Sequence, residues 1–170
     1  MRTKSHVLFL IVMLLVIPLH SLAGVQLLLN VPGFEGPVNF NNSQDWMEVQ
    51  SFQFPKAVAG EIGIPAGLNS SIDVATIKFV RAGQVEVPKN AVFSAMANIG
   101  DTSIVESIIA FLEKSPRHRQ WKLALCNEQG QILLGFGMDD VTVLDIEKAD
   151  SGVKISFNCK LQQWWEKVLR

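Results

Sequence analysis

One segment, "DTSIVESIIAFLEKS" at residues 101–115, carries apolar residues at helical spacing, and it stands alone among segments patterned for strands. Ile104, Ile108, Phe111 and Leu112 fall on one helical face, and Val105 and Ile109 widen it. Ser103 with Glu106 three residues on spells a capping box, and Pro116 biases Ser115 out of helical geometry. A single amphipathic helix buries its stripe only against another element, and here the other elements are strands. The chain is therefore expected to be mainly β: a small barrel or a two-sheet sandwich of about eight strands, with one amphipathic helix on its side.

The strand segments run through the rest of the chain. "VQLLLNV" (25–31) is a short apolar strand closed by "PGFEGP", which is turn chemistry. "WMEVQSFQF" (46–54) follows, and its halves disagree about which side is inside. Met47 and Val49 are apolar on odd positions, whereas Trp46, Phe52 and Phe54 are apolar on even ones. A half-buried strand keeps one phase, so either a bulge resets it or both faces are covered. Residues 55–75 read as a long loop, and "TIKFV", "QVEVP" and "NAVFSAMANI" as strands. After the helix come four strands, "WKLALCN", "QILLGFGM", "VTVLDIEK" and "VKISFNCKL", with turn residues in "EQG" and "ADSG". Near the end Trp164 and Trp165 are adjacent, so in an extended segment they face opposite ways.

The first residues have a different character. Arg2 and Lys4 precede an apolar run from Val7 to Leu19, and small residues follow near Ala23. That pattern reads as a secretory signal peptide over 1–23, because the run is shorter than the roughly 20 residues that a spanning helix needs. Removal after Ala23 leaves one domain, 24–170, periplasmic or secreted, with no stable membrane insertion. Without Arg2 and Lys4 the 16 acidic residues outnumber the remaining basic ones. Such a balance argues against a nucleic-acid partner, which needs a basic stripe. An exported chain with two cysteines, Cys126 and Cys159, permits a disulfide, and two buried free thiols are the equal alternative.

Polar chemistry is sparse. His118 is the only histidine after the leader, and the chain contains no Tyr. No G-x-S-x-G is present, and the two cysteines lack paired metal-ligand spacing. Asp139, Asp140, Asp145, Glu147 and Asp150 do not follow a calcium-loop order and read as a solvated strand edge. No catalytic residue, metal site or cofactor is expected. The surplus is apolar instead, and two-sided segments suggest that a neighbouring subunit covers Trp46, Phe52, Phe54, Trp164 and Trp165.

"LLLNVPGFEGP…SQDWMEVQSFQF" resembles the opening of the haemolysin-coregulated protein (Hcp) family of bacterial type VI secretion. Val31, Gly33 and Gly36 fit the family's glycine turn, and Trp46, Glu48, Val49, Ser51 and Phe52 fit the strand after it. Asp101, then Ser103 or Ser107, fits the entry to the helix. The resemblance implies a tight β-barrel with a side helix, assembled as a hexameric ring that stacks into a tube and has no catalytic residues. Its partners would be itself and other type VI secretion components or effectors. The rival expectation is a monomeric periplasmic β-domain that binds a small ligand or a protein through its 55–75 loop.

Overall fold

In the computed structural model of the chain, the described residues are 25–34, 46–64, 66–69, 85–129 and 131–166, with the strand path alone for 162–166. The elements are β1 (Gln26–Asn30), β2 (Trp46–Gln53), α1 (Lys56–Ile62), β3 (Gly67–Asn69), β4 (Phe93–Asn98), α2 (Thr102–Lys114), β5 (Arg117–Cys126), β6 (Ile132–Ala149) and β7 (Gly152–Glu166). All strands pair antiparallel in the order β1-β5-β6-β7-β4-β2-β3, and β1 also pairs with β2. That last pairing closes six strands into a barrel, which leaves no open sheet edge between them. β3 lies beside β2 on the side that β1 also uses, with Leu68 opposite Phe52. Among the described residues the architecture is thus the barrel rather than the sandwich, with seven strands and two helices.

Alternation sets the inner face. On β7, Val153, Ile155, Phe157, Cys159 and Leu161 are all buried, and on β4 so are Phe93, Ala95 and Ala97. Trp121, Leu123 and Leu125 do the same on β5. The two phases of β2 have a local cause. Val49 faces Ala97 and Ser51 faces Met96, so Gln50 is an extra residue in the ladder. This bulge flips the phase, and Met47, Val49, Phe52 and Phe54 all end up inside.

The same device joins two expected strands into one. "QILLGFGM" and "VTVLDIEK" are parts of β6, and its pairing with β7 shifts between Asp139 and Thr142. Asp140 sits there at φ 49°. Phe136 and Met138 point inward before this break, and Val141 after it. The expected turns do close the two hairpins. Asn127 Oδ1 accepts from the backbone N–H groups of Gln129 and Gln131. At the other hairpin, Ser151 O accepts from the N–H groups of Ile99 and Gly100, each at 2.8 Å. Gly152 is required beside that turn, because a Cβ would lie 1.9 Å from the Ala97 carbonyl oxygen.

Three expectations are corrected. Residues 56–62 form α1 rather than loop, and Val58, Ala59 and Ile62 bury one side of it in the core. Gly63 in the left-handed region ends this helix by donating to Ala59 O. Of "QVEVP", Val85 forms only a single bridge, to Leu161. "TIKFV" lies outside the described residues. α2 forms where its periodicity places it and buries Val105, Ile108 and Leu112. Its N-cap is Asp101 rather than Ser103: Asp101 Oδ1 accepts from Ser103 N at 2.9 Å and from Ser103 Oγ at 2.7 Å. Glu106 does not fold back to complete a box but pairs with Lys148 on β6. Among the described residues no helix is long and apolar enough to cross a membrane.

Candidate functional site

The five residues expected at a subunit contact separate into three groups. Phe52 and Phe54 are 0% and 4% exposed, so they do not face a neighbour; they belong to the chain's own core. Their ring centroids are 4.8 Å apart, and Phe93, Phe136 and Phe157 complete the cluster. The bulge at Gln50 is the reason, since it turns the second half of β2 inward. Trp46 is half-buried at the start of β2, opposite Asn30. Trp164 and Trp165 lie on β7 opposite Phe136 and Gly135, and their side chains are outside the description.

Two-sided coverage exists elsewhere. On β6 every residue from Leu133 to Met138 is buried, and on β5 so is every residue from Leu123 to Cys126. The unbroken apolar run "LLGFGM" carries this signal in the sequence, because strands covered on both faces lose their alternation.

Cys126 and Cys159 are free and buried. The register explains why they do not bridge. Cys126 faces Ile132, whereas Cys159 lies between Asn158 and Lys160, which face Thr142 and Asp139. Those points on β6 are separated by roughly 25–30 Å at the strand rise, far beyond the reach of about 7 Å between bridged Cα atoms. Burial pushes both thiols up, and for Cys159 the nearby Asp139 adds to the effect. A raised thiol holds little thiolate, so neither is placed to act as a nucleophile.

A second set of rings lies outside the barrel, where α2 meets β5 and the turn after β1. Phe34 meets Phe111 edge-on at 5.6 Å, and Phe111 meets His118 at 5.6 Å. His118 in turn lies 5.2 Å from Trp121, whose other side packs on Phe157 at 4.9 Å. Burial lowers the His118 pKa, and the Ser115 carbonyl offsets only part of that. Its Nε2 and the Trp121 Nε1 are buried without a hydrogen-bond partner. Beside this seam is an open groove of about 400 Å³, lined by Pro32, Gly33, Phe111, Arg117, His118 and Arg119 among others. Its signal in the sequence is "RHRQW", in which the charges interrupt the apolar pattern of β5.

The acidic run lies along β6 and its turn, and part of it is neutralised. Lys160 contacts Asp140 at 2.9 Å and Lys154 contacts Glu147 at 3.6 Å. Among the described residues no three His, Cys, Asp or Glu side chains gather as a metal site.

The chain matches no protein-family model and no curated protein. Solved structures are similar to it in fold. Hcp1 from Salmonella typhimurium is 9% identical, with 82% of each chain covered and a TM-score of 0.44. Hcp2 from the same organism is 10% identical, with 82% of this chain and 79% of that one covered, at a TM-score of 0.42. A type six secretion system protein is 9% identical over 84% of this chain and 79% of its own, at 0.43. These are likenesses only, and the functional reading rests on the chain's own residues.

Proposed function

We propose that the chain is an exported, non-enzymatic Hcp-like protein that assembles into rings and serves type VI secretion as a tube or secreted component. The observation that carries this reading is the closed barrel with α2 on its side, built in the order that the opening motif implies. Val31 and Gly33 lead out of β1, and Trp46 to Ser51 form the strand that seals the barrel against it. The described groups that a nucleophilic site would use also point away from catalysis. Both thiols are shielded, and the imidazole is packed between two rings.

The ring contact is assigned to Trp46, Trp164 and Trp165, now without Phe52 and Phe54. A closing heterologous contact covers each aromatic anchor with the next copy. Residues 56–62 are part of the barrel's core packing, which removes the first part of the loop that the rival binding module would use. Native mass spectrometry of protein taken from the exported fraction tests the reading. The expected result is a subunit beginning at Gly24 in one discrete cyclic assembly. A monomer at high micromolar concentration overturns the ring, and an uncleaved subunit overturns the export step.

A further inference from the structure

We propose that the groove between α2, the turn after β1 and the start of β5 binds a small organic acid. Arg117 and Arg119 hold its carboxylate, and its apolar or aromatic group lies on Phe111 and Pro32. This site goes beyond the ring reading and does not depend on it.

The groove has the size and the mixed lining of a small-molecule site. Its volume is about 400 Å³, within the usual span of roughly 300–1,000 Å³ for ligand pockets. The apolar wall is real surface: Phe111 is only half-buried, although it sits on the apolar stripe of α2. Gly33 adds no side chain over that ring, where a Cβ would lie 3.8 Å from it. Arg117 and Arg119, both exposed, also line the groove. Among the described residues neither arginine has an ion-pair partner.

The acids nearby are already engaged. Asp139 accepts from Gln120 Nε2 at 3.1 Å, and Asp140 is held by Lys160. No described carboxylate lies within ion-pair distance of either guanidinium, and a planar guanidinium fork matches a carboxylate in shape as well as sign. His118 forms wall rather than contact, because its Nε2 is buried. An apolar face beside two free cations selects a ligand that pairs the same two features. A charge alone or a ring alone satisfies half of it.

Backbone amide NMR shifts of the full chain, titrated with 3-phenylpropanoate, 3-phenylpropanamide and acetate, test the proposal. The phenylpropanoate is expected to move the amides of Gly33, Ser115 and Arg119 saturably. The amide lacks the charge and acetate lacks the ring, so each should bind about tenfold or more weakly. R117Q and R119Q, both at exposed positions, should each weaken phenylpropanoate by about tenfold while leaving the circular dichroism unchanged. Equal binding of the amide or of acetate overturns the proposal, and so do shifts confined to another part of the molecule or absent at millimolar ligand. The comparison among the three ligands needs no variant, so a substitution that failed to fold would still leave the outcome decided.

Discussion

Two aromatic clusters meet at Trp121, one inside the barrel and one outside it. Inside, Phe93 and Phe157 stack at 15° with centroids 5.7 Å apart, and Phe52, Phe54 and Phe136 pack around them. Every one of these rings is at most 4% exposed. Outside, Phe34, Phe111 and His118 are each half-buried and touch in a row rather than a cluster. The ring chemistry is nearly the same, and enclosure makes the difference. A ring covered on all sides by strands contributes its full transfer free energy, about 1.5–3 kcal/mol, plus the contacts of a close-packed interior. A ring held between a helix and a strand contributes less and keeps surface that a ligand can use. The inner cluster maintains the fold, and the outer one is free to bind.

The largest test removes a ring from each. Phe52→Ala should cost about 3–5 kcal/mol, the range for a buried phenylalanine. Phe111→Ala should cost about 1–2 kcal/mol, because part of its surface is already in water. Urea unfolding of both variants measures the gap, and equal losses would break the comparison.

The outer cluster depends on α2 keeping its place, and α2 depends on its cap. Asp101→Ala should destabilise the chain by less than either ring truncation, since Asp101 accepts the Ser103 N–H at the first turn. Hydrogen exchange sharpens the result: amides of α2 should open more readily while those of β7 keep their protection. Equal loosening of both would show that helix and barrel unfold as one unit.

The smallest effect is the titration of His118. Burial holds its pKa below the ordinary value of 6.5, so the folded chain binds that proton less well than the unfolded chain. The stability tied to the neutral ring is complete above about pH 6.5 and is lost as pH falls through that value toward the lower folded pKa. His118→Gln removes this term. The stability of the parent relative to H118Q should therefore decline between pH 8 and pH 5, as measured by urea unfolding at both. A constant difference would mean that the imidazole is as well solvated as an exposed one, and that the outer seam is more open than its ring contacts indicate.

Much of the barrel was legible because its signals are local. Alternation in "VKISFNCKL" and the period of "IVESIIAFL" depend only on residues a few positions apart, and β7 and α2 form where those patterns lie. "EQG" and "ADSG" close their hairpins for the same reason. Tertiary pairing decided what a period cannot express. Whether Phe52 faced a neighbour or the core depended on the bulge at Gln50, which is defined by β4 opposite it. Whether "QILLGFGM" and "VTVLDIEK" were one strand or two depended on β7 running past both. The cysteines were equal candidates for a bridge until the register placed them at distant points along β6. The capping choice was nearer to local, yet it also turned on a distant residue, Lys148, which engages Glu106. The groove arises in the same way: Gly33, on the turn after β1, meets Phe111 and Arg117 because β1 pairs with β5. The sequence by itself determined α2, β7 and the two hairpin turns, because those follow from neighbouring residues. The tertiary structure decided phase, partner and exposure, because each of these is a relation between residues far apart in the chain.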